Sequence, residues 1–559
     1  MNDQDDKLVG YKEVVVAKGS RVLAFCPDKA CEFHITNVPA AGGALIQRGL
    51  PFLEVDEDLY QQPPDFVVGT IDKTARLPWV PEAQNLFGLN HRYDAGHPKK
   101  RRAQPPALFV QDELHLISGP LGSIDGVYEI LLEELCRQDG GSSPIYIAAT
   151  ATTKNFEFQA ESLYRRPARL IPPPGLSIND SFFARRDDNA PGKVYIGICA
   201  TGSMSGLDTQ TAVLGSLAYH GATLGTERLG LSTDPWWSNV VFFSSRRALG
   251  LLSAAASTSL GQRIKSYRRL SGRRSGRKTP DSPADGYADR ILRKNRELTA
   301  TSSDDINQVL DDLSIGLPSD QTIDLCMATS MIEVGLDVSR LGLMTVIGQP
   351  KSASQYIQST GRVGRSSDAP GLVVTVFKTT VPRDLAHYEG FSHWHKRMYA
   401  SVESASVTPF TRAALERSLP SFMSTMLRML TSGCKIAPSL KNWDAALDRL
   451  LRHIPTELKA ERANVLAIAK DLYQPAASPA ALQFEWDPYC GNGEPLIFGA
   501  DSEIPPHRLD TPYWKVMNSM RNVDADSLVT LKVPSGGVVP TSESDGLGNN
   551  DTTDEVGDF

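Results

Sequence analysis

The chain has 559 residues, and no apolar run in it approaches the roughly 18 to 20 residues that a membrane span requires. Its opening, MNDQDDKLVG, is acidic where a signal peptide is basic and then apolar. The sequence therefore reads as cytoplasmic, with no membrane partner. Cysteine is scarce: seven residues, an odd number scattered from Cys26 to Cys490, make a poor disulfide framework and point to a reducing compartment. Missing too is a G-x-G-x-x-G turn, which excludes a dinucleotide-dependent dehydrogenase. Residues 1–111 also contain no G-x-x-x-x-G-K-[ST] phosphate loop. The stretch GRRSGRKT (272–279) imitates one with the wrong spacing, and it follows a basic run instead of an apolar strand.

Net charge is −7, but Glu543, Asp545, Asp551, Asp554, Glu555 and Asp558 sit in a tail with no Lys or Arg. The remainder is close to neutral, so overall charge does not exclude a polyanionic partner.

Short continuous apolar runs recur at VYIGI (194–198), NVVFFSS (239–245), GLMTVIG (342–348) and GLVVTVF (371–377), spaced widely enough for helices between them. ALFVQ (107–111) and SPIYIAATATT (143–153) belong to the same class. Apolar character that does not alternate predicts parallel strands buried on both faces, an α/β layout. Residues 154–191 are irregular and proline-rich, which suggests a boundary near 185. From 381 to 475 apolar spacing of three and four predicts helices. Residues 476–533 show little periodicity, and 534–559 are too polar to order themselves.

Ligands in open parallel sheets bind beyond the carboxyl ends of the strands. Asp112 and Glu113 follow such a strand directly and form the pair a nucleotide hydrolase needs: one carboxylate for Mg²⁺, a second to orient and deprotonate water. Two acids after a strand are also ordinary loop residues, and this stretch alone does not separate the readings. The block from Cys326 to Ser367 is more specific. Thr329, Glu333, Gly335 and Asp337 lead through a further strand to Gln358, Gly361, Arg362, Gly364 and Arg365. In GRVGR, glycines let two guanidinium groups approach another surface, and guanidinium neutralises charge on a transferring phosphoryl group.

With these residues in view, the chain resembles the superfamily 2 helicases. Asp112-Glu113-Leu114-His115 matches the DExH form of the Walker B motif. Thr150-Ala151-Thr152 matches the motif coupling ATP state to strand movement, Thr329 to Asp337 matches motif V, and Gln358 to Arg365 matches motif VI. PDFVVGTIDKTARLPW (64–79) resembles motif Ib, and FFSSRRALG (242–250) resembles motif IV. The wording of VGTIDK, QDELHLISGPLGS, IGQPKSASQYIQSTGRVGR and SASVTPF (404–410) is most similar to the large helicases of bacterial DISARM anti-phage systems. The resemblance spans roughly residues 50–415.

It implies two RecA-like parallel-sheet domains. The first, 1–185, is incomplete at its N-terminus; the second, 186–380, carries a basic insertion at 261–300. A helical accessory region (381–475), a C-terminal region (476–533) and a disordered acidic tail (534–559) would follow. It also implies ATP and Mg²⁺ as cofactors: Asp112 as metal ligand, Glu113 as base, Arg362 and Arg365 as arginine fingers, and His115, Gly335, Asp337 and Gln358 around the nucleotide. Thr150 and Thr152 would couple hydrolysis to movement, and Thr70 and Thr329 would touch nucleic acid, DNA in preference to RNA. Because the phosphate loop is missing, the sequence reads as the downstream part of a longer ATP-dependent helicase or translocase, with a missing N-terminal half or other defence subunits as partners. The alternative is a nucleic-acid-binding subunit that does not hydrolyse ATP.

Weaker features remain. GQRIKSYRRLSGRRSGRKT (261–279) holds eight basic residues and no acid, and reads either as a solvated insertion or as a contact for a phosphate backbone. Cys26, Cys31 and His34 offer three soft ligands, one fewer than a structural Zn²⁺ site normally uses. HYEGFSHWHKR (387–397) reads as an aromatic helix, and DPWWSN (234–239) as core packing before a strand.

Overall fold

The computed structural model describes residues 10–16, 19–34, 36–39, 45–89, 103–152, 154–173, 175–176, 182–183, 185, 187, 189–190, 192–202, 205–228, 233–274, 292, 294–299, 306–332, 337–366, 369–430, 440–477, 484–485, 494–508 and 513–520. The expectations for Glu333, Gly335 and the acidic tail fall outside these residues.

Two antiparallel hairpins open the chain: β1 (Tyr11–Val16) with β2 (Gly19–Ala24), and β3 (Thr36–Pro39) with β4 (Leu45–Arg48). A parallel pair follows, β5 (Leu108–Gln111) and β6 (Ile145–Ala148). The helix Gly119–Arg137 connects them as a crossover, the connection a parallel pair demands. The largest sheet is built from β7 (Lys193–Cys199), β8 (Asn239–Phe243), β9 (Asn295–Leu298), β10 (Leu325–Ala328), β11 (Leu343–Ile347) and β12 (Gly371–Phe377). Its order is β7-β12-β11-β8-β10-β9 with every neighbouring pair parallel.

Alternation of side chains explains the continuous apolar runs. Val240 and Phe242 of β8 enter one core with Cys326, Met344, Val346 and Val373. Val241 and Phe243 enter the opposite core with Met327, Ile347 and Val376, against Leu214, Leu249 and Leu252 of flanking helices. Both faces are covered, so every position of β8, β10 and β11 is buried and each large side chain there contributes about 1.5–3 kcal/mol.

The helix Arg412–Leu430 packs on Gly119–Arg137 and on Lys459–Ala477. Its Leu415, Leu419, Phe422, Met423, Met426 and Leu427 are buried at spacings of one, three and four. Helices Pro382–Glu389 and Phe391–Lys396 lie on the six-stranded sheet, where Trp394 and His395 stack around Tyr356 and Tyr195. The basic segment differs from a solvated insertion in its described part. Gly261–Arg274 is helical and packs along Gly206–Arg228, with Ile264 buried and the Tyr267 hydroxyl donating to the Ala212 carbonyl. Ile264 and Tyr267, one helical turn apart, anchor a helix whose charges dominate its composition.

Asp234 in DPWWSN pairs with Arg340 at 3.2 Å, and the Trp236 indole donates to the Pro370 carbonyl. Residues 234–237 are half-buried, so this part of the stretch is not in a core as expected. Among the described residues no group of three or more His, Cys, Asp or Glu side chains is placed to hold a metal ion. His34 is turned to the Cys26 carbonyl, 2.8 Å from its Nδ1. No helix among the described residues is long and apolar enough to cross a membrane.

Candidate nucleotide and nucleic-acid site

Strand β5 ends at Gln111 and delivers Asp112 and Glu113 to the carboxyl edge of its sheet. Glu113 adopts a left-handed conformation, φ 51° and ψ 49°, which an L-residue holds only when its surroundings dictate it. The Asp112 carboxylate accepts the Glu113 backbone N–H at 2.9 Å, and the following Leu114 N–H donates to Ala149 beyond β6. These bonds turn the Glu113 side chain across the end of the strand pair.

Two groups meet it there. His115 Nδ1 lies 3.3 Å from Glu113 Oε2, and Arg362 Nη2 lies 3.9 Å from Glu113 Oε1. His115 also contacts the Thr150 hydroxyl at 3.2 Å. Burial lowers the His115 pKa; Glu113 opposes that shift and Arg362 reinforces it. A neutral imidazole at neutral pH is then a neighbour Thr150 can bond in either hydrogen-bonding sense.

Contact continues onto the six-stranded sheet. Thr152, buried, places its hydroxyl 2.6 Å from that of Ser354 and accepts from the Gln358 amide at 3.4 Å. Ser354 and Gln358 belong to the helix Ala353–Thr360, capped by Ser352, whose hydroxyl accepts from the Gln355 N–H. Glu403 completes the cap, with both carboxylate oxygens near the Ala353 N–H at 2.9 and 3.0 Å. The Glu113–Arg362 pair joins an acid that follows β5 to a cation that follows the helix Ala353–Thr360.

The helix ends in GRVGR, where Gly364 has φ +63° and its missing Cβ would stand 2.6 Å from Gly371 Cα. Only glycine fits that approach. The turn sends its two arginines apart: Arg362 faces Glu113, while Arg365 pairs with Asp337 at 2.5 Å and donates to the Gly361 carbonyl. Lys193 holds the same turn from β7 by donating to the Thr360 carbonyl; burial, then the charge of Arg365, brings its pKa down to about 8.

Thr70 and Thr329 lie at other places on the surface. Thr70 is exposed just before the short helix Ile71–Arg76. Asp72 of that helix accepts from Ser519 and from the Met520 N–H, both at 2.8 Å. Thr329 is half-buried at the end of β10, its N–H donating to Leu298. The structure thus gathers Glu113, His115, Thr150, Thr152, Gln358 and Arg362 into one chain of contacts, with Asp112 beside it and Arg365 bound to Asp337. Ser354 and Glu403 were not singled out in the sequence. Ser354 carried a signal only in the S-x-S that opens the helix, and Glu403 lies fifty residues from the amide it caps, which leaves no local signature.

A helical crossover joins the parallel pair that carries the acids, and a capped, arginine-bearing helix stands opposite. Residues 290–367 match the family "Helicase conserved C-terminal domain". Over 441 residues, 74% of its length, the chain is 37% identical to the DISARM protein DrmA of Bacillus paralicheniformis, and it spans only 37% of that relative. Among solved structures it is similar to the Mycobacterium smegmatis helicase Lhr bound to ssDNA and AMP-PNP: 16% identity, TM-score 0.44, 75% of this chain and 42% of that one. It is also similar to the DUF1998 helicase MrfA bound to DNA and AMPPNP, with 18% identity and TM-score 0.41 over 64% and 40% of the two chains.

Proposed function

We propose that this chain is part of an ATP-dependent nucleic-acid helicase or translocase that acts in anti-phage defence. The observation carrying that reading is the approach of Arg362 to Glu113, a guanidinium following one sheet and a carboxylate following another, 3.9 Å apart. Two such groups side by side suit a triphosphate. The carboxylate takes a proton from the attacking water and the guanidinium stabilises charge on the γ-phosphoryl group. Asp112, exposed and offering carboxylate oxygens, fits a Mg²⁺ held chiefly by phosphates and water, which needs only one or two protein carboxylates. Bound there, Mg²⁺ supplies neutralisation of phosphate charge.

Arg365 takes its place in two states. Its partner Asp337 is 75% exposed at the side chain, and exposed ion pairs contribute only about 0–1 kcal/mol, so a phosphate oxygen displaces Asp337 readily. The contacts from Glu113 through His115, Thr150 and Thr152 to Ser354 and Gln358 then transmit nucleotide state between the sheets. Thr70 and Thr329 contact the strand being moved, with DNA preferred. A second reading is a nucleic-acid-binding subunit without turnover, in which Glu113 and Arg362 form only a structural ion pair.

Strand-stimulated ATP turnover separates the two when it is measured on this chain co-expressed with the portion of DrmA outside the matched 441 residues. Glu113→Gln and Arg362→Ala each lower turnover by about 100-fold or more in the motor. Equal turnover in both variants and the parent refutes the catalytic roles.

A further inference from the structure

Between the helical turn Met398–Ser401 and the helix Arg412–Leu430, residues 402–410 (VESASVTPF) form neither helix nor strand, yet they are fastened on both sides of the candidate site. At one end the Glu403 carboxylate accepts the Ala353 N–H, the first of the helix that leads to Arg362. In the middle, the Ser406 carbonyl accepts the Gly119 N–H at 2.6 Å, and the Thr408 N–H donates to the Ser123 hydroxyl oxygen at 2.9 Å. Gly119 and Ser123 lie in the first turns of the helix that follows Asp112 and Glu113. Val407 is buried in the core of Leu114, Ile117 and Leu163. At the far end Phe410 lies under the Arg165 guanidinium at 5.4 Å, and its carbonyl accepts from the Asn464 amide at 3.0 Å.

The helix Gly119–Arg137 is shaped for this segment. A Cβ on Gly122 would stand 3.1 Å from Val407 Cγ2, and one on Gly126 would stand 3.0 Å from Pro409 Cβ. Positions four apart share a helix face, so the two glycines form one seat. Glycine weakens a helix interior, and here it permits an approach that a side chain would obstruct. GPLGSIDG (119–126) and SASVTPF (404–410) are thus the two halves of one joint.

Glu403 is exposed, and a carboxylate at an exposed helix start adds little stability, so its fastening is chiefly positional. The helix Ala353–Thr360 has eight residues, about 12 Å at 1.5 Å per residue, too short to bend independently of its ends. Displacing its first turn therefore displaces the turn that carries Arg362. Thr152 holds that first turn separately, through the Ser354 hydroxyl. We propose that residues 402–410 are a strap that ties the Arg362 helix to the Glu113 side of the site and joins both to the helical region, with Glu403 as a positioning residue. That the positioned pair acts on a phosphoryl group rests on the reading above; the strap itself does not.

The test is native-state amide exchange on the full chain, which requires no turnover. Glu403→Ala should speed exchange at Ala353, whose bond is lost, and also at Gly119 and Thr408, by about tenfold. Gly126→Ala presses on Pro409 without weakening its own helix, and should in turn speed exchange at Ala353, Gln355 and Tyr356 by about tenfold. Glu403→Gln keeps one carbonyl acceptor and should restore parental exchange at Gly119 and Thr408. Acceleration confined to Ala353 in Glu403→Ala, or to the helix Gly119–Arg137 in Gly126→Ala, overturns the strap, because Glu403 is then an ordinary cap. Uniform acceleration that includes β8 overturns it as well, since the variants then merely loosen the fold. In the turnover assay above, Glu403→Ala should lower kcat about tenfold with KM for ATP unchanged, and Glu403→Gln should recover it; equal kcat in both variants and the parent removes the positioning role. Absence of turnover in the parent refutes the motor and leaves the strap, read by exchange, standing.

Discussion

Replacing Gly364 with Ala places a methyl group where the fold has none to spare. The backbone there has φ +63° and the new Cβ would stand 2.6 Å from Gly371 Cα and 3.0 Å from its nitrogen. The left-handed conformation costs an L-residue about 1–2 kcal/mol. The contact is with backbone of β12, which cannot rotate aside, and overpacking of that kind adds about 1–3 kcal/mol. The expected loss is about 3 kcal/mol from these two terms, confined to the junction of the Arg362 turn with β11 and β12. Native-state amide exchange reads it directly as a fall in opening free energy for 343–347 and 371–377. A control separates position from chemistry. Gly250, in the helix Arg246–Ala255, has open space at its Cβ, so Gly250→Ala should leave stability unchanged or raise it by up to about 1 kcal/mol. If Gly364→Ala changes protection by less than about 0.5 kcal/mol, the size of an ordinary surface substitution, the account of the turn is wrong.

Other perturbations follow from the polar groups around the helix Gly119–Arg137. Burial raises Asp125 to a pKa of about 7, so its favourable contribution is complete below the carboxyl's ordinary value and is lost as pH rises from about 4 through 7. Asp125→Asn, which cannot ionise, should gain stability relative to the parent in thermal melts at pH 8 and little at pH 4; an equal shift at both would refute this. Glu134 is buried, which alone raises its pKa, but His453, Arg452 and Arg449 outweigh that and hold it below its ordinary value. Its contribution is present above pH 4.5 and fades as pH falls through the depressed pKa, and Glu134→Ala should cost about 3–5 kcal/mol in denaturation at neutral pH. Thr152→Val removes the hydroxyl shared with Ser354 and Gln358. It should reduce strand stimulation of ATP turnover by about tenfold, as a coupling free energy of about 1–3 kcal/mol implies, with nucleotide affinity unchanged; unaltered stimulation removes Thr152 from the coupling path.

Legibility in the sequence followed burial and locality. Strands β8, β11 and β12 were readable because a continuous apolar run survives where a sheet has cover on both sides, whereas β7, at the sheet edge, keeps its run although Val194 and Ile196 are exposed. Strand β9, Asn-Arg-Glu-Leu, offers no such run. It lies at the sheet edge, where Arg296 turns out to pair with Asp312 and only Leu298 is buried. The helix Gly261–Arg274 was hidden behind its charge, since its anchors Ile264 and Tyr267 are few. At the site, residue types and spacing pointed to Asp112, Glu113, Arg362 and Arg365, but spacing does not say which arginine faces which acid. That depends on the left-handed turn at Gly364 and on Asp337, which holds Arg365. Links such as Thr152 to Ser354 join residues about two hundred positions apart and leave no local trace.

The central claim is that Glu113 and Arg362 border one phosphate-binding crevice. A structure of this chain with an unhydrolysable ATP analogue and Mg²⁺ tests it most directly. The account predicts the terminal phosphate between the Glu113 carboxylate and the Arg362 guanidinium, with Arg365 released from Asp337. Nucleotide bound elsewhere, or Arg362 turned away from the terminal phosphate, contradicts it.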